Sequence, residues 1–144
     1  MTIDNWLITG DTHGTYGRFV SLPEQYAPDR TGIFILGDAG VNYFLGEEDT
    51  RLYNALNNLG YTFYCVKGNH EEDPRNISTL VEAFDMNVAG QVYYNPDYPR
   101  VRFLKDGIRY YLAGIGGDFI CFGGAYSVDK HWRLMNGHQW FADE

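Results

Sequence analysis

The chain has 144 residues, 44% hydrophobic and 17% aromatic, which is enough apolar side chain for a core and excludes a disordered polypeptide. Its formal charge of -8 argues against a non-specific nucleic-acid binder, which needs a basic face to neutralise phosphates, and suits the binding of cations. Cys65 and Cys121 stand alone in apolar runs without CxxC spacing, which argues against a zinc knuckle or redox pair and predicts core thiols.

The opening, MTIDNWLITG, lacks a basic n-region, and its apolar run is too short for a signal peptide. No later stretch reaches membrane-spanning length, so a soluble cytoplasmic protein is expected. Residues 6–9, 33–36 and 62–66 are short apolar runs, each closed by a glycine turn, and predict buried parallel strands. The segment 16–26 between the first two is interrupted by Pro23 and predicts an irregular crossover. Residues 47–59 predict an amphipathic helix: acids open it, Leu52, Leu56 and Leu59 share a face, and Gly60 ends it.

The βαβαβ order predicts an α/β fold with a parallel sheet. A shorter helix is expected over 77–84. Strands follow at 91–94, 101–104, 109–113 and 119–122, with Lys105-Asp106-Gly107 as a hairpin turn, and these should add antiparallel strands or a second sheet. Gly114-Ile115-Gly116-Gly117 precedes a strand pattern and not a helix, so it reads as a structural turn. Tyr93, Tyr94, Tyr98, Tyr110 and Tyr111 crowd this half, and alternate members should pack between layers. No repeat or linker is visible, so residues 1–144 are expected to form one domain.

Each of the first three predicted strands ends in a polar cluster: GDTHG at 10–14, GDAG at 37–40 and GNHE at 68–71. In an α/β sheet the carboxyl ends of the strands face one crevice, so these turns should converge. Asp11 and His13, two residues apart, can present oxygen and nitrogen to one cation. Asp38 offers a carboxylate able to bridge two ions, and Asn69 adds a neutral oxygen. Such donors suit Mn, Fe or Zn, and two ions about 3.5–4 Å apart clamp a phosphate. His70 can protonate a leaving alkoxide, and Glu71 is placed to orient it or support its charge. There is no Gly-Lys-Ser/Thr phosphate loop and no Gly-x-Ser-x-Gly elbow.

The three clusters, in this order and with this strand and helix spacing, resemble the first signature blocks of the calcineurin-like metallophosphoesterase family. The stretch 123–133, GGAYSVDKHWR, resembles a segment of a bacterial and phage subgroup, so the likeness covers essentially the whole chain. It implies that Asp11 and His13 bind a first metal, Asp38 bridges two, Asn69 binds the second, and His70 is the acid. Where many members carry a second acid, four residues after Asp38, this chain has Asn42, which is given no metal role.

The resemblance also implies two further histidine-bearing blocks past Trp140, whereas the sequence given stops at Glu144, so a shortened domain is expected. His131 and His138 read as surface or loop histidines. The first metal position keeps Asp11, His13 and Asp38, while the second keeps Asp38 and Asn69. One filled site is therefore expected, and the second is short of ligands. Two functions fit. One is a metal-dependent hydrolase of phosphomonoesters or phosphodiesters, alone or completed by an oligomer. The other is a degenerate phosphoesterase scaffold, phage-encoded or not, that binds or inhibits a protein partner.

Overall fold

The computed structural model describes residues 2–112, 114–125 and 127–142. Its main sheet has six strands: β1 (Asn5–Thr9), β2 (Thr31–Leu36), β3 (Thr62–Val66), β4 (Val81–Asp85), β5 (Gly90–Tyr94) and β6 (Val101–Leu104). They lie in the order β1-β2-β3-β6-β5-β4. The first four in that order run parallel, in a register that carries Leu7 to Ile33, Ile33 to Phe63 and Phe63 to Val101. β5 runs antiparallel to both β6 and β4. A second sheet is the antiparallel pair β7 (Arg109–Leu112) and β8 (Gly117–Ile120). The helices are α1 (Glu47–Asn58) and the short α2 (Lys130–Met135).

Strand side chains alternate between two cores. Ile33, Ile35, Phe63, Cys65, Val101 and Phe103 face one side, where they meet Tyr53 and Leu56 of α1 and Tyr16 and Phe19 of the first crossover. Phe34, Tyr64, Val66, Val92 and Leu104 face the other, covered by Tyr110 and Leu112 of β7. Tyr110 pins the second sheet to the first, because its hydroxyl donates to Gln91 O (2.7 Å) and accepts from Lys105 N (2.7 Å). Its ring lies so close over Gly90 that a Cβ there would stand 2.5 Å away. Tyr110 is buried while Tyr111 is exposed, the alternation expected of packed tyrosines.

The first crossover is irregular, with single 3-10 turns at Gly17–Phe19 and Pro28–Arg30, and α1 forms where its leucine spacing and acidic first turn place it. The helix expected over 77–84 is not present. Residues 74–76 make a 3-10 turn, and Val81–Asp85 is the edge strand β4, paired from Val81↔Tyr94 to Asp85↔Gly90. Ile77, Leu80, Val81 and Phe84 have helical spacing, but the sheet edge offers a backbone ladder and buries Asp85 against the Arg102 guanidinium. Val81 and Phe84 stay exposed on the strand, while Leu80 packs against the first core.

Lys105-Asp106-Gly107 is a turn but not a hairpin, because β7 pairs with β8 rather than β6. Asp106 Oδ1 accepts Gly123 N (2.7 Å) and Gly107 N donates to Cys121 O (3.0 Å), which carries the chain from one sheet to the other. The true hairpin turn contains Gly114, Ile115 and Gly116. β8 begins and ends two residues earlier than expected, and Ala113, the last residue expected in β7, lies outside the described residues. Among the described residues no helix is long and apolar enough to cross a membrane.

Cys65 is wholly buried, and burial pushes its thiol well above the usual range; Cys121 is half-buried and pushed up to about 11. Since only the thiolate reacts, a disulfide reagent at pH 8 is expected to label native protein slowly at Cys121 and to reach Cys65 only on unfolding. Mass mapping of labelled peptides with and without urea checks this, and prompt labelling of Cys65 in native protein would contradict the packing of the first core.

Candidate metal centre

The turns after β1, β2 and β3 are bound together by their own backbones. Thr12 N and His13 N both donate to Asp38 O (3.1 and 2.9 Å), and Gly14 N donates to Ala39 O (3.1 Å). The Thr12 and Tyr16 hydroxyls also donate to Ala39 O (2.8 and 3.0 Å). The third turn joins through His70 N, which donates to Asp38 Oδ1 (2.8 Å). Such close approach requires glycine at two places. A Cβ on Gly40, at φ +95°, would lie 2.1 Å from Gly14 N, and one on Gly68 would lie 1.9 Å from Asp38 Oδ1. His13 and Asp38 themselves adopt φ +45°, a conformation costly for side-chain-bearing residues and concentrated at functional sites.

These turns bring the imidazole and carboxylate groups together. Asp38 Oδ2 lies 2.9 Å from His70 Nδ1 and 4.0 Å from His13 Nε2, and His13 Nε2 lies 2.9 Å from Asp11 Oδ2. Ligand atoms of His13, Asp38 and His70 all fall within 4.8 Å of one another, so these three could hold a metal ion. The donor set, two imidazoles and a carboxylate, fits a divalent cation. Both Asp38 oxygens already accept from His70, but each has a second lone pair to offer. This trio includes His70, which the sequence casts as an acid and not as a ligand.

Asp38 separates two cavities. One, of about 270 Å³, is lined by His13, Asp38, Gly40, Tyr43, Phe44 and His70. The other, of about 490 Å³, includes Asp11, Asp38, Gly68 and Asn69 in its wall. Asn69 Nδ2 donates to Ser127 Oγ (2.6 Å), which turns its amide and leaves Oδ1 as the remaining donor atom for a cation. Asn42 faces inward: it is 2% exposed and its Oδ1 accepts from Tyr53 OH (2.6 Å).

Glu71 lies beneath the centre and not on it. The partner of the His70 ring is Asp38, while Glu71, 1% exposed, accepts Gly40 N at Oε1 (3.1 Å) and Gly68 N at Oε2 (2.8 Å). Burial, reinforced by the Asp38 charge, pushes its carboxyl up to about 8 against the pull of these backbone N–H groups. Glu71 therefore acts on His70 and Asp38 through the turns that carry them. A second buried acid, Asp49, holds the rim: Oδ1 accepts Phe44 N (3.2 Å) and Oδ2 accepts Leu45 N (2.8 Å). In the sequence Asp49 reads only as one of three acids opening α1, nothing there marks Tyr43 or Phe44, and Ser127 falls in the 123–133 stretch without a role of its own. His138 stacks on Trp132 (5.2 Å between centroids) in the turn that closes α2, where Gly137 takes φ +72°.

Glu71→Gln is expected to destabilise the protein by about 1–3 kcal/mol, because the amide nitrogen cannot accept and one backbone N–H is left buried without a partner. Urea unfolding of the two proteins without added metal measures this. An unchanged midpoint would show that the Glu71 oxygens do not hold the turns together.

A family model for calcineurin-like phosphoesterases matches residues 5–143, which takes in all three turns and both sheets. No curated protein and no solved structure gives a significant match to the chain. With nearly the whole length matched, and with Asp11, His13, Asp38 and His70 gathered at the carboxyl ends of adjacent parallel strands, the chain belongs to the calcineurin-like phosphoesterase family.

Proposed function

We propose that this chain is a metal-dependent hydrolase of phosphomonoesters or phosphodiesters. The observation that carries the reading is the Asp38 carboxylate, set between two cavities with imidazoles of His13 and His70 beside it. In this reading Asp11 and His13 hold a first cation, Asp38 reaches both positions, and Asn69 serves the second. A divalent cation, when bound, supplies positive charge for the phosphoryl oxygens. Asp38 holds the His70 ring by Nδ1, which fixes the ring and leaves Nε2 to carry a proton to the departing oxygen. Glu71 keeps the turns bearing both residues in register from below. The first position, with three protein donors, binds its ion more tightly than the second, with two.

A second reading, attachment to another protein chain or to a second copy, draws on the large apolar side chains left exposed after β7: Ile120, Phe122, Val128, Trp132 and Met135. Sedimentation velocity tests self-association directly, and a monomer at every concentration would remove it.

Manganese is expected to stimulate release of nitrophenolate from bis(4-nitrophenyl) phosphate, and chelation to abolish it. Asp38→Ala is expected to lower this rate about 100-fold or more, since it removes the shared ligand and the support of His70. Metal-dependent turnover no greater than that of the variant would end the hydrolase reading. Metal analysis after desalting is expected to find about one retained equivalent per chain; two would mean that the second position is completed by groups other than Asp38 and Asn69.

A further inference from the structure

We propose that Tyr43 and Phe44 form an aromatic wall selecting phosphate esters whose leaving group carries a planar ring, an inference that rests on the phosphoesterase reading above. The two rings meet edge to face (4.9 Å between centroids, 89°), and Tyr43 is backed in turn by the buried Phe141 (6.1 Å). Both line the cavity that also holds His13, Asp38 and His70.

The wall is built to stay exposed. Phe44 is 50% exposed even though its backbone is pinned: Asp49 accepts the N–H groups of Phe44 and Leu45, and Glu72 N donates to Asn42 O (2.8 Å). Asn42 (φ +65°) and Leu45 (φ +55°) bracket the pair in left-handed conformations that cost energy, yet the reward is not burial of the ring. A half-exposed aromatic side chain on a pinned backbone at the rim of a cavity can stack on another ring without the loop having to be ordered first.

Position then decides which part of the substrate the wall meets. In hydrolysis a water oxygen bonds to phosphorus as the bond to the leaving oxygen breaks. The electron pair stays on that oxygen, which takes a proton from His70 Nε2, and the proton lost by water returns to that nitrogen. The leaving oxygen must therefore lie on the His70 side of Asp38, and that is the cavity with the wall. The cavity on the other side offers Asp11, Lys67 and Asn69, groups suited to phosphoryl oxygens and cations. The ring recognised is a nucleobase or an aryl group.

The test uses the full chain with manganese and two pairs of esters that leave as similar alcohols and differ by a ring: adenosine 5'-monophosphate against ribose 5-phosphate, and benzyl phosphate against ethyl phosphate. Wild type is expected to favour the ring-bearing member, and Phe44→Ala to lower the kcat/KM ratio within a pair about 10-fold. Phe84→Ala, which removes an exposed ring on the edge strand β4, should leave the ratios unchanged. A fall in either pair supports the wall, and the pair that responds tells base from aryl; ratios unaltered by Phe44→Ala overturn it. If the alanine variant fails to fold, Phe44→Leu keeps the bulk without the ring. If no ester is hydrolysed at all, the hydrolase reading fails and the wall is judged by saturation-transfer NMR of adenosine and benzyl alcohol on metal-free protein. Signal that disappears in the Phe44 variant sustains it, and signal absent from wild type or equal in both proteins overturns it.

Discussion

Asp38 is the residue through which the three strand-end turns are joined. Its carbonyl receives the N–H groups of Thr12 and His13, and its carboxylate receives both the backbone and the ring of His70. To face both ways it adopts φ +45°, which an aspartate tolerates better than most residues but not freely. Each hydrogen bond contributes about 1 kcal/mol net, so the set offsets the backbone cost and leaves the carboxylate in place. The glycines follow from the same constraint, since Asp38 can sit where it does only because Gly68 has no side chain to meet it. Glu71 closes the arrangement from below by binding the backbones of Gly40 and Gly68, one from each of the two turns that hold Asp38 and His70.

What could be read from the sequence was what local pattern and strand order decide. Apolar runs closed by glycine became β1, β2 and β3, and leucine spacing after three acids became α1. The approach of the three polar turns to one another followed from parallel strands sharing one end. What was illegible depended on long-range partners. Residues 77–84 carry a helical apolar pattern, yet Val81–Asp85 form an edge strand, because β5 supplied the ladder and Arg102 a partner for Asp85. Tyr110 stacks over Gly90, twenty residues away, and that contact sends β7 to the second sheet. Glu71 was visible as an acid beside His70. That its carboxyl turns inward to backbone N–H groups depends on the depth of the turn, which spacing does not encode.

The fold also explains why α1 matters beyond its apolar face. Leu56 and Tyr53 bury into the first core, and Tyr53 gives its hydroxyl to Asn42 at the start of the rim loop. Four residues before Tyr53, Asp49 accepts the backbone of Phe44 and Leu45. One helix, held by apolar packing, thus fixes the rim at two points with neighbouring turns of its own surface. A change in the core that shifts α1 would move the rim loop before it moved Asp38, whose supports are the turns after β1 and β3.

Charge sets the last constraint. The chain carries -8 overall, and Asp11 and Asp38 lie where an anionic ester would have to sit. A long-range field of that sign does not draw phosphate in. Recognition must therefore come from a local reversal of charge, which a bound cation would supply. The same acids that would repel a bare phosphate would attract a cation, so in the proposed function the centre would receive the ester only with its metal bound. Under this logic the neutral parts of the substrate, beyond the reach of that ion, are the ones left for apolar contacts such as Tyr43 and Phe44 to distinguish.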